Sequence, residues 1–485
     1  MQKLLAKITE IVAAWPQPVY LVGGAVRDLV LNRPIHDLDF VVEKDAIKLT
    51  FWVADQLRVP AYVLDRERDV GRVMLDADIS LDFARFRENN RDFGDSLEAD
   101  LCARDFTINA LAQELKRGNT SLIDPTGGLQ DLENGVVRMV YADALDDDPA
   151  RALRALRMAL QFGFEIEPTT YAAVQSLAGQ LWRISAERIR DEFLKLLMLP
   201  NPQRAIDLLH KTGLLHDIAP ELTALVGVTQ SPPHHEPVFE HTLSVLRWLT
   251  WVEQALADGS NPILPHFEQY EALHAYMNRR VDGGYSGWQL LRLAALFHDI
   301  GKARTRTVEP SGRIRFFKHE KVGADIVYER LRQLRFSKAA NDTVREVVKG
   351  HMRPFMLANQ PPITRRAVYR YFKATNGVGV DIALLSLADN LAKDGGVPTD
   401  AEQAEAWAWL CFVVDKLLTQ NFAEPEKSVR PPKLVTGADV MQVLQIKPGK
   451  EIGRILEAVT EAQAAGEVET RAEALQLIKT LAQPS

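Results

Sequence analysis

Val19-Tyr20-Leu21-Val22-Gly23-Gly24-Ala25-Val26-Arg27-Asp28, resuming as His36-Asp37-Leu38-Asp39-Phe40, is the stretch on which the fold turns. Val19–Val22 predicts a short strand, Gly23-Gly24 breaks it, and Ala25–Leu31 returns to helical spacing. Leu38, Phe40 and Val42 alternate with polar positions, the period-two pattern of a second strand, so Asp37 and Asp39 share a face. Two carboxylates converging there are costly unless they share cations, and an all-oxygen ligand set suits Mg2+. The glycine pair between strand and helix can offer backbone N–H groups to phosphate oxygens, and Arg27 one turn later can add a charge-assisted contact. A third carboxylate, Asp82, stands in Ile79-Ser80-Leu81-Asp82-Phe83, with Leu81 and Phe83 on one face and Asp82 on the other. If that strand neighbours the first, Asp82 completes a two-metal site in which one ion activates a hydroxyl and the other steadies pyrophosphate.

Working outward, the pattern predicts helices over 2–14, 45–58 and 104–114. Further strands are expected over 61–64, 72–75, 79–85, 122–124 and 136–140. After Asp148 the periodicity is helical, over 149–162, 168–180, 185–199 and 202–212. Ser231–Pro237 is a Pro/His-rich break, 255–288 reads as a long loop, helices resume around 289–297, and prolines at 425, 431 and 432 mark a second break. The expected fold class is α+β: a mixed sheet with flanking helices, then an all-helical body. The 485 residues, 46% hydrophobic and 25% charged, exclude a disordered or collagenous chain. No apolar run approaches the roughly 18–20 residues of a membrane helix, and the N-terminus does not read as a signal peptide. Two cysteines cannot build a disulfide framework or a thiolate zinc site, so a reducing cytoplasm is expected. With a formal net charge of -7, any RNA contact must come from local basic stripes.

In this order and spacing the motifs resemble the class II tRNA nucleotidyltransferase and bacterial poly(A) polymerase family of the polymerase-β superfamily. Arg104-Asp105-Phe106-Thr107-Ile108-Asn109-Ala110 is similar to the family's ribose-reading motif, and Asp124-Pro125-Thr126-Gly127-Gly128 to its head–neck hinge. Asp147-Asp148-Pro149-Ala150-Arg151 resembles the block that selects the incoming base with protein side chains. Asp148 and Arg151, three apart on one face, pair an acceptor with a donor. Cytosine and adenine offer an exocyclic amine and ring acceptors to such a pair, whereas uracil and guanine present the wrong pattern. Arg154 and Arg157 continue the stripe and, by resemblance, help bind the nucleotide. Ser185–Glu192 matches a later family block and reads as structural, with Ser185 as a helix cap. Two positions depart from the family: Ala103 stands where it usually has arginine, and Asp147 where it usually has glutamate.

A second constellation lies further on. His241, the pair His298-Asp299 followed by Ile300-Gly301-Lys302, and Asp389 resemble the metal ligands of the HD phosphohydrolase superfamily, with His319 and His351 holding a second metal or phosphate. Imidazole and carboxylate together suit a divalent transition metal, and a metal-bound hydroxide would attack a phosphoester. His234, His235, His266 and His274 fall outside that pattern.

The stretch 332–373 is rich in Arg and Lys with Tyr369, Tyr371 and Phe372 interleaved, a pattern that either tracks an RNA backbone or forms a solvated helical face. The resemblance divides the chain into a nucleotidyltransferase head (1–142), a nucleotide-selecting neck (143–229), an HD domain (230–400) and a tail (401–485) directed at the tRNA elbow. The implied function is a CCA-adding enzyme that uses CTP and ATP, two Mg2+ ions and the 3′ end and acceptor arm of tRNA, with no membrane partner. An enzyme adding only CC or only A, or a poly(A) polymerase, is the nearest alternative. A phosphohydrolase with an RNA-binding head and a non-catalytic RNA-binding protein are more distant ones. The loop around 87–99 and the neck decide between full and partial addition.

Overall fold

The protein is described here from a computed structural model covering residues 2–35, 37–75, 79–88, 92–116, 121–257, 263–264, 266–282, 284–398 and 400–481. His36, part of the loop at 89–91, parts of the expected 255–288 loop and residues 482–485 lie outside the described residues. The chain forms two compact units, one of residues 1–193 with 211–217, the other of 194–210 with 218–485. The neck expected over 143–229 is therefore divided between them.

The first unit is built on a seven-stranded sheet of β1 (Val19–Val22), β2 (Leu38–Val42), β3 (Ala61–Asp65), β4 (Val70–Met74), β5 (Ser80–Arg85), β6 (Ala112–Glu114) and β7 (Leu122–Ile123). Their order is β3-β4-β5-β2-β1-β6-β7. β2 and β5 run parallel, and the other neighbours are antiparallel. Alternation decides the faces. Leu38, Phe40, Leu81 and Phe83 are buried, with Phe40 and Phe83 stacked at 4.8 Å, while Asp39 and Asp82 between them point the other way. On the opposite face Val22, Val41, Leu101 and Ala112 form a second cluster.

One expected element is different. Instead of a helix over 104–114, the chain makes a 3₁₀ turn at Thr107–Asn109 and then β6, which pairs with β1. The apolar residues Ala110–Ala112 are compatible with either state, and a free edge on β1 makes pairing the better use of their backbone groups. Beyond β7, Asp124 accepts from the N–H groups of Gly128 (2.8 Å) and Leu129 (2.9 Å), capping the helix Gly128–Asn134. A β-carbon at Gly128 would lie 2.1 Å from the Thr107 carbonyl oxygen, so this turn requires glycine. The long helix Ala150–Phe162 follows, its apolar side sealed by Leu153, Leu156 and Met158.

The second unit is helical. Helix Val238–Ala257 packs against Gly379–Lys393, and His319–Gln333 against Lys338–Gly350, with Gly287–Phe297 between. Where 255–288 was expected as a loop, Tyr270–Asn278 is a helix and Arg280–Val281 pairs with Tyr285–Ser286. The three last helices, Gly437–Leu444, Lys450–Ala465 and Arg471–Leu481, share a core of Val440, Ile455, Val459 and Ile478. Among the described residues no helix is long and apolar enough to cross a membrane.

Much of the basic stretch 332–373 is paired with acids of the protein itself, partly at its surface. Arg366 and Arg370 pair with Glu461, Lys373 with Glu457, Arg345 with Asp325 and Arg332 with Glu329. Tyr369, Tyr371 and Phe372 are buried rather than offered to bases. The amphipathic pattern records how helix Arg365–Ala374 docks on Lys450–Ala465.

Candidate functional site

In the first unit a cleft of about 380 Å3 is lined by Asp39, Asp82, Arg104, Asp105, Asp148, Arg151 and Arg154. Asp39 and Asp82 enter it as register partners across the parallel β2/β5 pair. Asp37 sits one residue before β2 and is exposed. Its charge reaches Asp39, whose carboxyl is held above the usual range, first by the desolvating protein packed around it and then by Asp82 and Asp37 against the opposing pull of Arg104. Asp39 is itself open to solvent at the cleft, and a carboxyl there beside two like charges fits an oxygen-ligated divalent cation. Both Asp82 oxygens accept from Arg72, its register partner on β4, at 2.6 Å each. Sequence reasoning missed Arg72, which becomes visible only once β4 and β5 are paired.

Of the glycine turn, one N–H is engaged within the protein. Gly23 adopts φ 71°, and its N–H donates to the Leu111 carbonyl (3.1 Å), so that N–H is not available to a phosphate. Gly24 follows as the first residue of the helix Gly24–Val30. A β-carbon at Gly23 would meet Arg104 Nη1 at 2.9 Å, so the turn and the ribose motif share one tight space. Arg27 has partners other than the expected phosphates. It donates to Asn109 Oδ1 (2.7 Å) and to both oxygens of Asp28, and lies over the Phe162 ring.

The ribose motif forms the middle of a buried network. Asn109 Nδ2 donates to Asp105 Oδ1 (3.0 Å), which also accepts the Phe106 N–H, and Asp105 Oδ2 meets Arg154 at 2.9 Å. Burial works against the Asp105 charge, but Arg154 and these donors outweigh it and hold the carboxyl below its usual range. Arg104 is braced by Asp100 (2.9 Å).

Of the base-selecting pair, Arg151 is buried and donates to the Ala144 carbonyl (3.1 Å), the Ala103 carbonyl (3.3 Å) and Tyr141 Oη (3.0 Å). Ala103, the departure from the family pattern, thus supplies a backbone anchor, and Asp147 accepts from Tyr141 Oη at 2.9 Å. Asp148 Oδ2 accepts from Arg188 at 2.7 Å. Arg157 does not line the cleft; it is held by Glu192 at 2.8 Å. The Ser185–Glu192 block, read as structural, therefore supplies the partners of two residues in the selecting stripe. The signal was its charge pattern, Arg188 and Glu192 on a helix beginning at Ala186.

In the second unit His241, His298 and Asp299 form one group able to hold a cation, and Asp299, His319 and His351 a second. Asp299 faces both: Oδ2 lies 3.2 Å from His298 Nε2 and 3.8 Å from His241 Nε2, and Oδ1 lies 3.3 Å from His319 Nε2. Asp389 reaches His241 at 3.1 Å. His298, His319 and His351 each place Nδ1 against the carbonyl three residues earlier, at 2.7–2.9 Å, which turns Nε2 inward. His298 Nε2 is buried and, among the described residues, has only the Asp299 carboxylate beside it, out of line for a good hydrogen bond, and His319 and His351 bring Nε2 atoms within 3.2 Å of each other. Converging lone pairs of this kind fit transition-metal ligation. Burial and the neighbouring His298 and His319 push the His351 imidazole down to about 3.

Asp299, His319, His351 and Asp389 line a cavity of about 520 Å3, together with Lys302, Arg313, Arg315, Phe355 and Trp409. His234, set aside in the sequence, lines it as well, its ring edge-on to His241 at 5.0 Å.

Family models align along most of the chain: the poly A polymerase head domain over 19–138, the RNA and SrmB-binding site of polymerase A over 163–225, the HD domain over 238–394 and tRNA nucleotidyltransferase domain 2 over 429–478. An A-adding tRNA nucleotidyltransferase of Deinococcus radiodurans is 35% identical over 97% of this chain and 96% of its own length. A CC-adding tRNA nucleotidyltransferase of Thermus thermophilus is 33% identical over 95% and 92%. Among solved structures, a CCA-adding enzyme in complex with ATP superposes with a TM-score of 0.61 at 21% identity, covering 100% of this chain and 94% of that one, a likeness of fold.

Proposed function

This chain belongs to the tRNA nucleotidyltransferase and poly(A) polymerase family, and from that premise we propose that it adds nucleotides from CTP and ATP to the 3′ end of tRNA without a nucleic-acid template. The observation that carries this reading is a single cleft lined by both the acidic pair Asp39 and Asp82 and the selecting pair Asp148 and Arg151. Reacting phosphate and incoming base belong within one nucleotide's length of each other. The 3′ hydroxyl oxygen forms a bond to the α-phosphorus, the bond from that phosphorus to the β-phosphate oxygen breaks, the hydroxyl proton leaves, and pyrophosphate departs.

Asp37, Asp39 and Asp82 would hold two Mg2+ ions, whose chemistry is to lower the pKa of the attacking hydroxyl and neutralise the leaving pyrophosphate. Arg72 fixes both oxygens of Asp82. Asp148 accepts from an exocyclic amine, and Arg151, three of whose N–H groups are already anchored, is left with one edge for the acceptors of cytosine or adenine. The ribose meets Arg104 and Asp105.

Full CCA addition is the main reading. The relatives that span nearly the whole chain, A-adding or CC-adding, favour a second, in which the enzyme adds CC alone or A alone. Transcripts ending before C, CC and A, each incubated with each NTP, separate them. Asp37→Ala is expected to abolish incorporation without altering the melting curve; full incorporation by that variant removes the metal assignment. The tail would contact the tRNA elbow, and the two free cysteines are in keeping with a reducing compartment such as the cytoplasm.

The HD-type cavity supports a phosphoester hydrolase activity alongside transfer, with His241, His298, Asp299 and Asp389 as ligands of one divalent transition metal and His319 and His351 extending the centre to a second. Loss of metal-dependent phosphatase activity in His298→Ala, with transfer intact, is the expected result.

A further inference from the structure

The acids of the first unit's cleft belong to a row that crosses four strands. Asp39 is the register partner of Asp82, Asp82 of Arg72, and Arg72 of Tyr62 on β3, the edge strand of the sheet. Residues directly opposite in register share a face, so Tyr62 stands on the acids' side of the sheet. The helix Ala46–Leu57 covers the other side, where a β-carbon at Gly71 would run into Thr50. On the acids' side Tyr62 is 44% exposed, and Leu64, the extra residue where the β3/β4 register shifts between Val63 and Asp65, is also exposed. We infer that this edge of the sheet seats the nucleoside at the 3′ end of the acceptor tRNA, with its base on the Tyr62 ring and with Arg72 as the positioning residue that keeps the seat in register with Asp82. The inference rests on the transferase reading above.

The groups that handle the incoming nucleotide lie on the opposite flank of the acids. A β-carbon at Gly23, just past the end of β1, would meet Arg104 Nη1 at 2.9 Å, and the next residue, Asp105, holds Arg154 at 2.9 Å. In the sheet, β5 and β2 stand between β1 on that flank and β4 and β3 on the other. Two-metal transfer is an in-line displacement, with the attacking and leaving oxygens on opposite sides of the phosphorus. With the incoming nucleotide on the β1 flank, the acceptor enters over β4 and β3. Neighbouring strands lie about 4.8 Å apart, so Tyr62 is about 10 Å from Asp82 at the backbone, a span that one nucleoside bridges between its 3′ oxygen and its base.

Arg72 ties this seat to the acids. Its guanidinium donates to both Asp82 oxygens at 2.6 Å. The Asp82 carboxylate, against the cost of burial, and after it the Tyr62 hydroxyl hold that guanidinium above its usual range. Tyr62 is thus engaged at its polar tip while its ring stays open, and a ring anchored in this way loses little freedom when a ligand arrives. The chemistry of the seat also suits its occupant. The last base of the acceptor differs from one tRNA and one addition step to the next, and stacking on an aromatic ring accepts any base.

The test uses the full chain with Mg2+ and tRNA transcripts that end where wild type begins addition, with CTP or ATP accordingly, read as single-turnover incorporation. One acceptor is complete, and the other carries an abasic 3′-terminal nucleotide. Stacking of one base makes wild type about tenfold slower on the abasic acceptor. Tyr62→Ala should be about tenfold slower than wild type on the complete acceptor and lose nothing more on the abasic one, whereas Tyr62→Phe should keep most of the base effect. Equilibrium binding of CTP or ATP and the Tm should not change, as they would if Tyr62 only supported the sheet. A base effect in Tyr62→Ala equal to that in wild type overturns the seat, and so does the absence of a base effect in wild type. Photo-crosslinking needs no substitution: wild type irradiated with a transcript ending in 4-thiouridine should give a crosslink within Ala61–Asp65, and crosslinks confined to other segments overturn the inference even if Tyr62→Ala does not fold. Loss of self-association in Tyr62→Ala with the base effect intact makes this strand a contact between copies of the chain instead. No incorporation by wild type on any acceptor removes the transferase reading, a result distinct from every one of these.

Discussion

Arg188→Ala should weaken selection of CTP and ATP without touching the acidic floor of the cleft. Arg188 donates to Asp148 at 2.7 Å, across a side chain 51% exposed on the arginine and 18% on the aspartate. A hydrogen bond to a charged group contributes about 1.5–3 kcal/mol when sheltered, and half-exposure of one partner screens it to roughly 1 kcal/mol. At 1.4 kcal/mol per decade this becomes about a fivefold fall in kcat/KM. If Asp148 reads the base and not the triphosphate, as proposed, the fall is expected in incorporation of CTP and ATP on tRNA transcripts. Background with UTP and GTP should stay constant, so selectivity narrows by the same factor. Arg188→Lys should keep part of the effect, and Arg188→Ala should add nothing in an Asp148→Ala background. An equal fall for all four nucleotides together with a lower Tm would show that Arg188 only supports the helix, and no fall at all would remove its role.

Two further outcomes follow from other contacts. Arg72→Met is expected to lower kcat for transfer by about tenfold while lowering the Mg2+ concentration for half-activity, since Asp82 loses its fixed geometry but gains uncompensated charge; a Mg2+ titration checks this, and an unchanged kcat contradicts it. Glu167 caps the helix Pro168–Ser176 by accepting from the Thr170 N–H at 2.7 Å. Desolvation opposes its charge, but the backbone and hydroxyl donors of Thr170 and Thr169 prevail and hold it down to about 2. A depressed carboxyl stabilises above its unfolded value of about 4.3 and loses that contribution as pH falls toward 2. Glu167→Gln should therefore be less stable than wild type by about 1 kcal/mol at pH 7, the size of a cap, and the gap should close through that window in denaturant melts. A gap that stays constant would refute the assignment.

The strands that carry the acids were legible because their alternation is strict: Leu38, Phe40 and Val42 against Asp39, and Leu81 and Phe83 against Asp82. The helix Ala150–Phe162 was legible for the same reason at its own period. Pairing was not legible. Nothing local in Ile108–Glu114 announces that it completes the sheet beside β1, and nothing in Arg72 announces Asp82. The basic stretch 332–373 stayed open between two readings because a run of arginines reads alike whether its partner is a phosphate or Glu461. His234 was passed over because it lies outside the HD spacing, although the fold brings it to the same cavity.

The parallel pairing of β2 with β5 has a consequence for how this protein can vary. A substitution on either strand alters one side chain, whereas inserting or removing a single residue inside either strand turns every later side chain to the opposite surface. One such change would carry Asp82 into the apolar layer and bring Phe83 out beside Asp39. Length differences among functional versions of this chain should accordingly collect in the connections on either side of these two strands, with the interval from Leu38 to Val42 and that from Ser80 to Arg85 kept free of gaps.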